Sequence, residues 1–466
     1  MPKGLNQTLF FLTLSMSLSP CLATDEAPSP WQFSGTHRIR YEYLNHQFRN
    51  DLSGNDEALS LRTLLKARYQ KNHLQLTAEV QDSRAYLNQD EDNVTATSIV
   101  NTGELLQANV QYSLHDVFND NDQLNLLAGR FTKDLGSRRL VARNRFRNTI
   151  QNYTGLWFEW LNKNAVHINA FYTLPVLIQP NDTDALIDNE VAFDDADFDL
   201  RLWGVHAAWP TSWWDTKAEV YLLGLQEDDD QERQTANRQL YTPGVRWYRS
   251  PQVGRWDFEL EQILQFGQRR LTRDVEDKVD LNVFARFHHV RVGYTFDATW
   301  LPHVALVYDF ASGNTLEAGE YHRFDTLLGP RRGEFGPTGI YGLLSRNNIS
   351  SVGVRFSIQP SERLDAQVFW RASYADEVVD TFTRTGLRLD PADPAAASVS
   401  RFAGHQIDTR LRYWLWPKHW RWEGGLTWFA RGGLLRAAQT SANPSENRTE
   451  DQGDPLYVYT SLEWFF

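Results

Sequence analysis

The feature that most constrains this chain is an alternation of apolar and polar side chains that recurs along nearly its whole length. In residues 32–43, Phe33, Gly35, His37, Ile39, Tyr41 and Tyr43 share one face, and Gln32, Ser34, Thr36, Arg38, Arg40 and Glu42 the other. Successive side chains of a strand point to opposite faces, so a period of two marks β-structure. The pattern returns in residues 352–359, 363–372, 407–415 and 456–466. After Ala23 no apolar run approaches the roughly 18 residues that a spanning helix needs. If the chain crosses a membrane, it does so with strands.

A soluble sandwich alternates too, and the connections separate the two architectures. Short joints near residues 70–72, 161–164, 209–214, 250–252, 301–302, 359–361 and 416–418 alternate with long polar segments. The latter lie near residues 44–57, 86–102, 132–150, 173–198, 226–239, 268–279, 311–348, 375–403 and 432–453. Counting between the joints predicts an all-β fold: a single transmembrane antiparallel β-barrel of about eighteen strands, with short periplasmic turns and long extracellular loops. Face parity drifts over residues 123–160. Trp209, Trp213, Trp214, Trp300, Trp414, Trp416, Trp420 and Trp422 gather at short joints, as an interfacial girdle requires. The chain ends on Trp464-Phe465-Phe466, an aromatic terminus of the kind that barrel-assembly machinery reads.

The first residues point to export from the cytoplasm. Lys3, an apolar stretch from Leu9 to about Leu18, and Cys21-Leu22-Ala23 form a secretory signal peptide over residues 1–23, cleaved near Ala23. Pro20 fits processing of Cys21 as a lipoprotein poorly. Residues 24–466 are then the barrel, in the outer membrane of a Gram-negative bacterium. Cys21 is the single cysteine, so the mature chain has no disulfide and no cysteine-based metal site. No cofactor or metal is expected.

A net charge of −12 argues against nucleic acid as a partner, since such a protein must displace counterions with a basic face. Yet 39 of the 47 basic residues are arginine and only 8 are lysine. In a barrel the apolar face meets lipid and the polar face lines the lumen. This points Arg38, Arg40, Arg62, Lys66, Arg68, Arg355, Arg363, Arg371, Arg410 and Arg412 inward, with Glu42, Glu79, Gln107, Asp257, Glu259, Glu261, Asp365 and Asp408. Some of these charges are expected to pair across the lumen and only brace the wall. The densest cationic run is Arg138, Arg139, Arg143, Arg145 and Arg147, with Arg130 upstream. It either folds into the lumen as a constriction or forms an external loop that binds lipopolysaccharide phosphates. Guanidinium forks match carboxylates and hold their charge. A ladder of them suits an anion with repeated charges, such as a uronate polysaccharide or its oligomers.

The chain resembles the alginate export family of outer-membrane barrels. The residues that carry the resemblance are Gly129-Arg130-Phe131, Gly136-Ser137-Arg138-Arg139-Leu140-Val141, and Tyr308-Asp309-Phe310-Ala311-Ser312-Gly313-Asn314. Phe324-Asp325-Thr326-Leu327-Leu328, Tyr341-Gly342 and Arg346-Asn347-Asn348 complete it. Phe131 stands where a Gln is common. The resemblance implies an eighteen-stranded pore that passes polymannuronate and alginate through an electropositive, arginine-rich lumen. For members of the export type it also implies a periplasmic scaffold lipoprotein as partner.

Two rival functions remain. An anion-selective porin for small acidic solutes shares the barrel and the arginines. An outer-membrane hydrolase needs a nucleophile and base at the rim, for which His288, His289, His303, His322 and His405 are the candidates. No nucleophile-elbow serine, His-Glu-x-x-His motif or P-loop is present, so no enzyme is expected. The acidic runs Asp194-Asp195-Ala196-Asp197-Phe198-Asp199 and Glu227-Asp228-Asp229-Asp230 read either as solvated loops or as oxygen ligands for Ca²⁺.

Overall fold

Alternating strands can leave no edge unpaired in a bilayer, because hydrocarbon offers their N–H and C=O groups no partner. In the computed structural model, eighteen antiparallel strands meet this demand by closing on themselves. The structure describes residues 29–50, 52–87, 93–229, 233–330, 332–392, 398–442 and 453–466. The expected signal peptide and its processing site near Ala23 lie outside the described residues.

The strands are β1 (Trp31–Asn45), β2 (Asp56–Lys71), β3 (Leu74–Tyr86), β4 (Asn101–His115), β5 (Gln123–Phe131), β6 (Tyr153–Leu161) and β7 (His167–Pro175). Then follow β8 (Leu200–Pro210), β9 (Lys217–Glu227), β10 (Gln239–Arg249), β11 (Trp256–Arg269), β12 (Leu281–Thr295) and β13 (His303–Ala311). The last are β14 (Glu320–Tyr321), β15 (Ile349–Ser361), β16 (Leu364–Tyr374), β17 (Phe402–Trp416), β18 (Trp420–Arg431) and β19 (Leu456–Phe465). Consecutive wall strands pair, and β1 joins β19 from Thr36↔Phe465 to Asn45↔Leu456. The short β14 lies off the wall and runs parallel to β12.

The alternation sorts the two faces. On β1, Arg38, Arg40 and Glu42 are buried while Ile39 and Tyr41 are exposed to the outside. Val304, Leu306 and Tyr308 on β13, and Val352, Val354 and Phe356 on β15, continue the same apolar band. At the periplasmic turns, Trp213 stacks on Trp214 with centroids 4.7 Å apart and on Trp247 at 5.4 Å, and Trp420 stacks on Trp464 at 5.8 Å. These rings have an apolar body and one polar N–H, which suits the interfacial layer.

Two departures from the sequence reading have local causes. The turn between β4 and β5, residues 116–122, carries neither Gly nor Pro. It is built instead on the Asp122 carboxylate, which accepts from the backbone N–H groups of Val117, Phe118 and Asn119 at 2.7, 3.0 and 3.0 Å. Over residues 123–160 the alternation of polarity fades because the buried residues Leu127, Phe131, Tyr153 and Trp157 are themselves apolar, while the β5–β6 register runs unbroken. Arg363 is also corrected: it sits exposed in the two-residue turn between β15 and β16, not on the wall.

The inner face is not polar throughout. Towards the extracellular end it turns apolar, with Leu44 following Glu42 on β1, and Ala285 and Phe287 preceding His289 on β12. Against this upper wall pack Phe48, Leu140, Val141, Leu186, Phe324, Phe335, Ile340, Tyr341, Phe382 and Leu434, all from the long connections. The barrel therefore has a hydrophobic core made of its own loops. The polar half of the lumen lies beneath it.

Candidate functional site

The β5–β6 connection, residues 132–152, runs inside the barrel and brings the arginine-rich run with it. Asn148 is its clasp. Its Nδ2 donates to the carbonyls of Leu61, Arg84 and Ile99 at 3.1, 3.1 and 2.8 Å, and Ser83 Oγ donates to its carbonyl at 2.8 Å. The wall arginines of β1 and β2 hold the preceding residues. Arg38 Nη2 donates to the Arg147 carbonyl at 3.0 Å, Arg62 Nη1 to the carbonyls of Arg145 and Arg147 at 3.0 and 2.9 Å, and Arg40 to that of Phe146. Hydrogen bonds from a charged donor contribute roughly 1.5–3 kcal/mol each. These three guanidiniums face the lumen, but much of their donor capacity is spent on backbone.

Arg139 anchors the other side. Its Nη1 donates to Glu259 Oε1 at 2.7 Å and to Glu261, and its Nη2 lies 2.6 Å from Glu334 Oε1. Burial raises the pKa of Glu334, but the charges of Arg139 and Arg346 outweigh it and hold the carboxyl well below its ordinary value. Glu334 comes from the β13–β15 connection, residues 312–348, so the two loops meet at this ion cluster. Arg346 Nη2 donates to Glu334 Oε2 at 2.6 Å and its Nη1 to the Arg139 carbonyl at 3.2 Å. Leu328 N donates to the Leu140 carbonyl at 3.0 Å. At Gly329 a Cβ would lie 1.6 Å from that Arg139 carbonyl, so only glycine allows the crossing.

Below the crossing, two cavities of about 410 and 520 Å³ adjoin and share Arg138, Arg145, Phe146 and Arg410 as lining. Nine arginines and three acids line the first; nine arginines and two acids line the second. Arg145 is mostly exposed and, among the described residues, its one ion pair is with Asp134 at 3.1 Å. Arg410 and Arg412 share Asp365 at 3.0 Å each. Arg355 lies over the Phe369 ring at 4.5 Å, and Arg147 lies beside Arg384. Burial, and then the Arg384 charge, push the pKa of Arg147 down to about 10. A third cavity of about 360 Å³, lined by Lys133, Glu159, His167, His206 and Glu219, lies beyond residues 133–136 on the side of β6–β10.

Of the remaining predicted residues, Arg143 lines the second cavity and the others stand apart from this waist. Arg130 pairs with Glu104 at 2.5 Å and donates to the Asp194 carbonyl at 3.3 Å, near the extracellular rim. Arg143 is tied to Glu79 at 2.7 Å. Lys66, opposite Glu79 in the β2–β3 register, and Arg68 lie on β2 outside both cavities. Arg371 is buried and donates to Asp309 at 2.9 Å. Sequence reasoning missed Arg246, Arg291 and Arg421, which strand parity would have placed. It also missed Glu334, for which no local pattern exists, and Arg346 entered only through the family resemblance and not as a site residue.

Asp194 is not a solvated loop residue. It is buried, accepting from Asn101 Nδ2 at 2.8 Å and from the Gln179 backbone N–H at 3.0 Å. Asp230 lies outside the described residues. Among the described residues no three His, Cys, Asp or Glu side chains converge as a metal site would need. The candidate histidines find other partners: His289 bonds Asp309 at 2.6 Å, His303 bonds Asp257 at 2.8 Å and His288 bonds Gln262 at 2.8 Å.

The sequence matches the family described as alginate export over residues 29–448. No curated protein matches it in sequence. Its fold is similar to that of OccK9 (OpdG) from Pseudomonas aeruginosa, at 12% identity and a TM-score of 0.57, covering 94% of this chain and 98% of that one. It is similar to the outer membrane protein opdK of the same organism, at 12% identity and 0.56, covering 93% and 98%. The same organism's OccK2 (OpdF), solved in complex with glucuronate, follows at 10% identity and 0.53, covering 94% and 98%. At these identities the likeness is one of fold.

Proposed function

Since the chain belongs to the alginate export family and forms an outer-membrane β-barrel pore, we propose that it passes an anionic polysaccharide or its oligomers, alginate-like uronates, through the arginine-lined part of its lumen. The observation that carries this reading is the pair of adjoining cavities in which arginines outnumber acids three to one or more. Passage needs attraction strong enough for entry and weak enough for exit. Two unit charges ~4 Å apart in water gain only ~1 kcal/mol. Arg138, Arg145, Arg410 and Arg412, wet and partly paired with Asp134 and Asp365, suit stepwise hand-over of carboxylates. Arg38, Arg40, Arg62 and Arg139 serve chiefly to hold the loop that presents them. Outer-membrane lipid, lipopolysaccharide and a periplasmic scaffold lipoprotein are the further partners proposed.

A second reading, a porin for small acidic solutes, is favoured by one observation: the loops narrow the lumen to cavities of about 410 and 520 Å³. OccK2, with its bound glucuronate, is an example of this barrel type holding a single sugar acid.

Planar-bilayer recording tests both. We expect anion selectivity and a current block by oligouronates that strengthens with chain length. The double variant Arg138→Glu/Arg145→Glu should weaken the block by roughly tenfold, the size of one lost charge-assisted contact. Equal block by mono- and oligouronates favours the small-solute porin, and indifference to uronates sinks the polysaccharide reading.

A further inference from the structure

Several residues that line the first cavity carry a buried polar atom with no hydrogen-bond partner among the described residues, and His289 and Thr338 are two of them. His289 and Thr338, each 3% exposed, both line it. His289 projects inward from β12, with its Nδ1 2.6 Å from Asp309 Oδ1. The other Asp309 oxygen accepts from Arg371 Nη1 at 2.9 Å. A carboxylate can only accept, so the histidine Nδ1–H must be the donor, and in the tautomer so fixed Nε2 is the acceptor. That Nε2 has no partner among the described residues, nor has Thr338 Oγ1. Thr338 is held in place by its neighbour Gly339, at φ 77°, where a Cβ would lie 2.0 Å from Glu42 Oε1. Buried polar atoms are nearly always paired, so such orphans on residues lining one cavity need an explanation.

The chemistry of the lining supplies one. Guanidiniums are donors only, so the nine arginines recognise carboxylates and cannot accept from a hydroxyl. An imidazole acceptor and a threonine hydroxyl add the complementary function. Resting on the uronate reading above, we propose that His289 Nε2 and Thr338 Oγ1 bind hydroxyl groups of a sugar acid whose carboxylate lies against the cavity arginines. The cavity thereby discriminates hydroxylated acids from plain polyanions. Asp309 and Arg371 are positioning residues, since they set the ring and its tautomer. A site built to bond a hydroxyl disfavours an analogue that lacks it, because its own polar groups then stay unpaired.

Planar-bilayer block by oligogalacturonate and by oligoacrylate of matched charge, which has carboxylates but no hydroxyls, tests the inference. Wild-type protein should be half-blocked by oligogalacturonate at a concentration several-fold below that for oligoacrylate. Thr338→Val keeps the volume and removes the hydroxyl, and His289→Phe removes the acceptor. Each should raise the galacturonate half-block concentration by up to about tenfold, one hydrogen bond's worth, and leave that for acrylate unchanged. Thr338→Val keeps the test informative if His289→Phe does not assemble. Galacturonate block with the discrimination intact in the variants overturns this inference alone, as does an equal shift for both polymers. If neither polymer blocks the wild type, the uronate reading falls and this inference with it.

Discussion

At the scale of single residues, the arginines divide into those that hold a loop and those that line the cavities. Arg139 shows why the division matters, because one guanidinium holds Glu259, Glu261 and Glu334 together. Removing one partner of a buried ion cluster costs roughly 3–5 kcal/mol, since the other charges stay behind. Arg139→Met should therefore release the 132–152 segment, giving a larger single-channel conductance and tryptic cleavage within the segment. Wild-type conductance and protease resistance in this variant would refute the anchoring role. Parity alone places Arg38, Arg40 and Arg62 on the inner face. It says nothing of their partners, because one carbonyl that Arg38 binds belongs to Arg145, 107 residues away, and only loop closure brings it near. Glu334 is illegible for the same reason: its role comes from where the loop ends up.

At the scale of elements, joints were easier to read than the insides of loops. Asn, Pro and Trp clusters mark most short turns, while the 116–122 turn hides behind a single carboxylate. Length marks the long connections, but their apolar residues are spaced irregularly and gave no sign that they would form a core. The β7–β8 connection, residues 176–199, is one such docked loop, tied by paired backbone bonds between Leu177 and Asp195 at 2.7 and 3.1 Å. Burial, reinforced by the nearby charge of Glu104, lifts the Asp194 carboxyl from its ordinary 3.8 to about 6, against the opposing bonds from Gln179 and Asn101. A raised carboxyl binds more protons docked than free, so docking is tightest near pH 4 and weakens as pH rises to about 6. The change is on the order of 2 kcal/mol. Hydrogen exchange at the Leu177 and Asp195 amides, corrected for intrinsic rate, should show more protection at pH 4.5 than at pH 7.5. Asp194→Asn should flatten the difference. Protection that is flat or rises with pH in the unsubstituted protein would count against the assignment.

For the whole molecule, a net charge of −12 coexists with arginine-rich cavities because acids crowd the loops and arginines the waist. Selectivity that arises from exposed lumenal charge must be screened by salt, with a Debye length of about 10 Å at 0.1 M and about 3 Å at 1 M. Reversal potentials under a fixed salt gradient should report strong anion preference near 0.1 M and little near 1 M. A preference independent of salt would mean that pore size, not arginine charge, sorts the ions. The closed wall was legible from period two and loop alternation, since both follow from the bilayer's demands on any chain. The loop core was not, because it answers only to this chain's own packing. The seam where β1 meets β19 has a consequence in time. It joins Thr36 to Phe465, so the cylinder cannot shut until β19 has been made. Until then the β1 edge carries unpaired N–H and C=O groups, and the loop core has no complete wall to pack against. A chain that stops short of β19 is left with two open edges, and its failure should show as misassembly in the periplasm before any transport is measured.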